Sequence, residues 1–212
     1  DPVFPNLFRF NYDLSIDVEL SKQIHDQAKS QGMSVKMMTN PDFRVDYGTI
    51  VSCHMVRPEW DKPIVSISSN RSLSYYSVEV MQEMMIELGK STAKAIEESG
   101  KKCLLIASNS LSHRHFVTET SPPEDMSKEH ITSHAMHLWD MRIIELMRAG
   151  KSQQIINEMP EFCEQAIAET DGGALTWLLS TMGVPKQPAT LHGYGTIIGT
   201  GNAIVEWPCR NW

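Results

Sequence analysis

The chain has 212 residues with 19 Lys+Arg against 26 Asp+Glu, a formal net charge of −7, and 41% hydrophobic residues. That composition belongs to a globular chain of one large domain or a tight pair, and argues against disorder. No apolar run approaches the roughly 18 residues of a membrane span, and no Lys/Arg block exceeds a pair, so neither a membrane nor nucleic acid is an expected partner.

The chain opens Asp1-Pro2-Val3-Phe4-Pro5 without an initiator Met, which reads as processing or as a start in the middle of something. The first helical pattern runs from Ile16 to Gln31: Ile16, Leu20, Ile24 and Ala28 recur every four residues and Gly32 stops it. Val35 to Met38 reads as a short strand. Asp46 caps a helix from Gly48 to about Val56, which Pro58 ends. Pro63 to Ser68 is a strand with a β-branched pair. The longest helix runs from Ser77 to Ser99, with Met81, Met84, Met85, Leu88, Thr92, Ala95 and Ile96 as its inner stripe and Gly100 as its C′ residue. Cys103 to Ala107 reads as a buried strand, and a polar loop from Ser108 to Asp125 follows. Two or more helices fill Ser127 to Met182. A mid-helix proline costs roughly 3 kcal/mol, so a break is expected near Pro160, with a second interruption at Gly172-Gly173. The tail reads as a hairpin, Gly193 to Ile198 and Ala203 to Trp207, turning at Gly199-Thr200-Gly201-Asn202.

Alternating helix and strand up to Ala107 argues an α/β fold with a largely parallel or mixed sheet flanked by helices, packed as one domain over 1–212. Such sheets place ligands at the carboxyl ends of their strands, so the loop after Ala107 is the first place to look for chemistry. Cys53, Cys103, Cys163 and Cys209 are scattered without a CxxC and read as free thiols of a reducing cytoplasm. The 13 Met residues suggest adaptable packing.

Five constellations stand out. His113, just beyond the expected strand end in Ser108-Asn109-Ser110-Leu111-Ser112-His113-Arg114-His115, is placed for general acid–base work, because an imidazole titrates near neutrality; the alternative is a surface histidine. His115 shares the argument more weakly. His130, His134 and His137 fall at i, i+4 and i+7 along one helix face. The first pair has zinc-protease spacing, but Ile131 stands where the catalytic Glu would be, so a solvated face is the better reading. Glu169 precedes a glycine pair, a weak signal alone. Tyr47 follows the capping Asp46, and is either core or a hydrogen-bond donor in a cleft. Gly193-x-Gly195 and Gly199-x-Gly201 do not complete GxGxxG and are followed by strand, so a nucleotide loop is rejected. No GxSxG element and no complete P-loop signature occurs, and nucleophile-elbow hydrolases and P-loop enzymes lack support.

Phe43-Arg44-Val45-Asp46-Tyr47-Gly48-Thr49-Ile50, then Ala107-Ser108-Asn109-Ser110-Leu111-Ser112-His113, then Pro123-Glu124-Asp125-Met126-Ser127-Lys128-Glu129, then Gly193-Tyr194-Gly195-Thr196 with Gly199-Thr200-Gly201-Asn202-Ala203, stand in the order seen in one family. In these segments the chain resembles the class III (LigB-like) extradiol ring-cleaving dioxygenases over nearly its whole length. The Leu-Ser-His element marks the superfamily; the Asp-Tyr-Gly and Pro-Glu-Asp-Met-Ser-Lys-Glu segments point to the catalytic β subunits of its aminophenol branch. The resemblance implies the LigB-like fold. It makes His113 the acid–base residue, Tyr47 a hydrogen-bond donor to substrate or intermediate, and Glu169 the carboxylate ligand of Fe(II). The implied reaction inserts O₂ into an aminophenol ring to give 2-aminomuconate semialdehyde. The implied partner is a related α subunit that lacks the metal site, in an α2β2 heterotetramer. The family's two histidine ligands of iron match no position here and are expected upstream of Asp1, as if the chain held the C-terminal majority of the subunit; His25 and His54 do not fit as substitutes. A catechol substrate, and a non-catalytic partner subunit, are the alternatives. The resemblance gives no role to His130, His134 or His137.

Overall fold

The computed structural model describes residues 13–40, 42–43, 45–68, 76–114, 133–197 and 199–208. The chain divides into two compact units, one built from residues up to 68 with 91–108, the other from 69–90 with 109–212. The long helix α3, Val78–Ser99, contributes its first half to the second unit and its second half to the first.

The first unit holds α1, Val18–Ser30, and α2, Tyr47–Val56. Asp17 caps α1 by accepting the Leu20 N–H at 3.0 Å, and Leu20, Ile24 and Ala28 form its buried stripe; Ile16, expected on the same stripe, precedes the helix, is 46% exposed and bridges Ile64 instead. Leu20 and Ile24 pack with Ala95 and Ile96 of α3, and Val65, Ile67 and Leu105 lie against them. Asp46 caps α2 by accepting the Thr49 N–H at 2.9 Å. Gly100 ends α3 with φ +64°.

The expected parallel sheet is where structure and expectation part. Among the described residues the ladder is one antiparallel pair, and parallel pairing is limited to a single bridge between Ile16 and Ile64. The segments 35–38, 63–68 and 103–107 carry no ladder. In the last of these, Leu105 turns inward while Leu104 is 70% exposed. Its apolar run signals burial on both faces, but only one face has neighbours among the described residues. The coarser expectation, a mixed α/β chain, stands.

The second unit holds α4, His134–Arg148, α5, Ser152–Ala166, a 3₁₀ turn Glu169–Gly172, α6, Gly173–Thr181, and the hairpin β1, Thr190–Ile197, with β2, Thr200–Glu206. Its core gathers Ile143 and Leu146 of α4, Ile155, Met159 and Phe162 of α5, and Leu179 of α6.

The break expected at Pro160 does not occur: α5 runs through it. Ile155, Met159 and Phe162 are almost fully buried on that helix. At about 1.5–3 kcal/mol each their burial outweighs the roughly 3 kcal/mol cost of the proline. The chain breaks at Gly150 instead, where φ is +67° and a Cβ would stand 2.2 Å from the Lys186 carbonyl oxygen. The second interruption falls at Gly172-Gly173 as expected. The hairpin turn is tighter than expected, with β2 starting at Thr200 rather than Ala203. Gly89-Lys90-Ser91 is helical, and Gly89 serves packing: a Cβ there would meet the Ser180 Cβ at 2.6 Å.

Among the described residues no helix is long and apolar enough to cross a membrane. Cys53 and Cys103 are free thiols. Cys209, His115 and His130 lie outside the described residues, as does the Pro123–Glu129 segment.

Candidate active site around His113 and Glu169

Residues Leu111 to Arg114 form a short extended piece held from two sides. On one side the Leu111 N–H donates to the Gly201 carbonyl at 2.7 Å, the Gly201 N–H to the Ser112 carbonyl at 2.9 Å, and the Arg114 N–H to the Gly199 carbonyl at 2.9 Å. On the other, the His113 N–H donates to the Ile167 carbonyl at 3.0 Å and the Glu169 N–H to the Leu111 carbonyl at 3.1 Å. Single antiparallel bridges, Ser112 with Ala168 and His113 with Thr200, describe the same interlock. Three stretches far apart in sequence thus meet around His113.

The interlock sets His113 beside Glu169: Nε2 of the imidazole lies 3.7 Å from Oε1 of the carboxylate, and both side chains are about a quarter exposed. The other carboxylate oxygen, Oε2, accepts the Ser110 N–H. The Ser110 hydroxyl donates to Asn202 Oδ1 at 3.1 Å, tying the motif loop to β2.

The backbone around Glu169 is strained. Ile167, Thr170 and Asp171 have φ of 52°, 54° and 52°, a region that β-branched residues rarely enter. Each such residue costs about 1–3 kcal/mol and persists only where surrounding structure enforces it, typically at functional sites. Two contacts enforce it here. Gln82 of α3 donates to the Asp171 carbonyl at 2.5 Å and accepts from the Thr176 hydroxyl. Gly172 lies so close to Met159 that a Cβ would be 2.1 Å from its sulfur.

Behind the interlock sits a carboxylate that the sequence reading missed. Asp140 of α4 is 1% exposed. Oδ1 accepts the Ser112 N–H at 2.8 Å, and Oδ2 accepts the Ser112 and Tyr194 hydroxyls, each at 2.8 Å. His137 Nδ1 stands 3.3 Å from the Tyr194 hydroxyl. Burial pushes the Asp140 carboxyl above its ordinary range, against the opposing pull of Tyr194, Ser112 and His137. The available signal was a lone acid on the apolar stripe of a helix, among Met136, Ile143, Ile144 and Met147.

Tyr47 belongs to the first unit, as the first residue of α2, and is 44% exposed. Its helix start is tied down there. Ser108 Oγ donates to the Gly48 carbonyl at 3.5 Å, and a Cβ on Gly48 would meet Asp46 Oδ1 at 3.0 Å. Of the three histidines expected on one helix face, His134 and His137 lie on α4, which begins at His134. Among the described residues no group of three His, Cys, Asp or Glu stands ready to hold a metal. A cavity of about 480 Å³ beside Glu79, Glu161 and Glu164 contains none of the candidate site residues.

A carboxylate and an imidazole are thus held side by side where three chain segments meet. Residues 4–204 match the family described as "Catalytic LigB subunit of aromatic ring-opening dioxygenase". The chain belongs to this family, whose members are aromatic ring-cleaving oxidoreductases. It is 54% identical over 207 residues to a 2-aminophenol 1,6-dioxygenase beta subunit of Pseudomonas sp, covering 98% of this chain and 68% of that one. It is 27% identical over 197 residues to a 2-aminophenol 1,6-dioxygenase alpha subunit of Pseudomonas sp, covering 92% of this chain and 69% of that one. Identity is also 27% over 183 residues with 3,4-dihydroxyphenylacetate 2,3-dioxygenase of Escherichia coli, covering 86% and 63%.

Proposed function

We propose that this chain is the catalytic part of an Fe(II)-dependent extradiol dioxygenase that inserts O₂ into 2-aminophenol or a substituted aminophenol, giving 2-aminomuconate semialdehyde. The observation that carries the reading is the His113–Glu169 pair, 3.7 Å apart, in a chain 54% identical to the 2-aminophenol enzyme's beta subunit.

Glu169 suits the carboxylate position of a two-histidine, one-carboxylate iron site. It is partly exposed, and the Ser110 N–H fixes Oε2, which leaves Oε1 as the oxygen turned toward His113. The chain spans 68% of the length of its beta-subunit relative, and Glu169 is the one iron ligand proposed within it. Iron held in such a site would supply open positions for the adjacent hydroxyl and amino groups of the substrate and for O₂.

The chain's own residues do the rest. His113 carries a proton on Nε2, the ring atom facing Glu169, and delivers it to oxygen as the ring opens. A positioned acid of this kind is worth roughly 10²–10⁴ in rate. The backbone interlock holds the imidazole beside the carboxylate. Tyr47 donates a hydrogen bond to the substrate.

Both compact units belong, in this reading, to one LigB-type domain, since the family match runs across them. Segments 63–68 and 103–107 are strands of its mostly parallel, helix-flanked sheet. The half-bare apolar run at Leu104 supports this. A related α subunit is the partner, in an α2β2 assembly; the similarity of this chain to both an alpha and a beta subunit supports such pairing. Free thiols and the lack of a membrane-length apolar helix among the described residues support a cytoplasmic location.

Catechol cleavage is the second reading, favoured by the similarity to 3,4-dihydroxyphenylacetate 2,3-dioxygenase. The test is an assay of the complete native enzyme, loaded anaerobically with Fe(II) and then given O₂ with 2-aminophenol or catechol. Semialdehyde formation from 2-aminophenol supports the reading; product from catechol alone replaces it with the second, and no product from either ends both.

A further inference from the structure

We propose that Asp140 is the positioning residue of this site: its carboxylate grips Ser112 by both backbone and hydroxyl, and so fixes the next residue, His113, against Glu169. The inference rests on the acid–base role given to His113 above.

The grip is double. One carboxylate takes the N–H and the O–H of the same residue, each at 2.8 Å, with Asp140 1% and Ser112 4% exposed. An anionic acceptor shared by two donors of one residue removes that residue's freedom to rotate or to shift along the chain. Ser112 also bridges Ala168, the residue before Glu169. Both members of the candidate pair are therefore one residue away from the part of the backbone that Asp140 controls.

The surroundings are built to bring the carboxylate in. Gly201 allows β2 to pass directly over it: a Cβ at 201 would fall 1.8 Å from Asp140 Oδ2 and 3.0 Å from Ser112 Oγ. Glycine within a strand marks such a close approach. Tyr194 from β1 supplies the third hydrogen bond and holds Oδ2 in place. A buried carboxylate costs free energy unless it is hydrogen-bonded, and here both oxygens are used.

Asp140 does not touch the reacting groups itself. The void beside it, lined by Ser112, His137, Asp140, Tyr194 and Thr196 among others, is about 10 Å³, far below what an aromatic ring requires. Its influence passes through the Ser112 backbone.

The test compares Asp140→Ala and Asp140→Asn in the complete, iron-loaded native enzyme. Asn keeps the volume and an acceptor for the Ser112 N–H; Ala keeps neither. In Asp140→Ala we expect kcat to fall about 10- to 100-fold with KM within about threefold, the pattern of a misplaced catalytic group. Hydrogen exchange of the 111–114 amides should rise while that of α5 stays unchanged. Asp140→Asn should restore kcat to within about fivefold of wild type and restore slow exchange. Ser112→Ala, which deletes one of the two tethers, covers the case in which Asp140→Ala does not fold; it should lower kcat about three- to tenfold at unchanged KM. Wild-type kcat in Asp140→Ala or Ser112→Ala, unchanged exchange at 111–114 in Asp140→Ala, or an Asn variant no better than Ala would overturn the proposal. Should the wild-type enzyme open no ring, the functional reading fails on its own, and the exchange comparison still decides the role of Asp140.

Discussion

A single methyl group at Gly201 strikes a crowded point of the second unit. The Cβ of Gly201→Ala would lie 1.8 Å from Asp140 Oδ2 and 2.8 Å from its Cγ. Asp140 is buried on α4, so either the carboxylate swings away or β2 lifts off. Overpacking of this sort costs about 1–3 kcal/mol. A displaced carboxylate also leaves the Ser112 N–H without its acceptor, at about 1–3 kcal/mol for a buried donor. The sum is about 2–6 kcal/mol. At roughly 2–4 °C per kcal/mol for a chain of this size, the melting temperature should drop by roughly 4–24 °C. Gly193→Ala is the control in the same hairpin, where nothing stands within 4 Å of the added Cβ; it should change stability by no more than about 0.5 kcal/mol. Urea unfolding of wild type and both variants measures the difference. A Gly201→Ala protein within about 0.5 kcal/mol of wild type would refute the close packing on which the site description rests.

Three further outcomes are expected. Folded Asp140 holds its proton to higher pH than the unfolded chain does, so the folded state binds the extra proton in that window and loses stability as pH rises through it. Asp140→Asn lacks this loss, and its stability relative to wild type should therefore increase between pH 4.5 and pH 8, conditions chosen about the ordinary carboxylate range; urea midpoints with a pH-independent difference would count against the buried charge. Gln82→Leu removes the partner of the Asp171 carbonyl and the Thr176 hydroxyl and should cost about 1–3 kcal/mol by thermal or urea unfolding, with faster hydrogen exchange in the Glu169–Gly172 turn. Pro160→Ala restores a helix donor inside α5 and should raise stability by about 1–2 kcal/mol, the helix gain less the extra freedom of the unfolded chain; a destabilised variant would show that the proline ring is needed for packing.

Local rules carried the helices well. The stripe of Leu20, Ile24 and Ala28, the Asp46 cap and the Gly100 stop are all decided by neighbours within a few residues, and all appear as read. Pro160 misled because its cost is local while the burial of Ile155, Met159 and Phe162 depends on α4 and α6, which a propensity argument cannot see. For the run from Cys103 to Ala107, β-branched and leucine content reports what a segment would bury, not whether a partner strand lies beside it, and the described residues supply no such partner. His113 and Glu169 were nameable through the family-like motifs, but their adjacency depends on the interlock of 111–114 with 167–169 and 199–201, contacts more than fifty residues apart on one side and nearly ninety on the other. Asp140 left only the trace of a charge on an apolar stripe. Its two bonds to Ser112, and the missing Cβ at Gly201 that admits it, exist only once α4 and the hairpin have come together.

The central claim is that Glu169 holds iron while His113, 3.7 Å away, moves a proton. Iron content per subunit, measured by plasma mass spectrometry on the complete native enzyme and its Glu169→Ala and His113→Ala variants, separates these roles. Our account predicts that Glu169→Ala loses its iron and that His113→Ala keeps iron at the wild-type level while losing turnover. Full iron occupancy in Glu169→Ala, or loss of iron in His113→Ala with Glu169 intact, would contradict it.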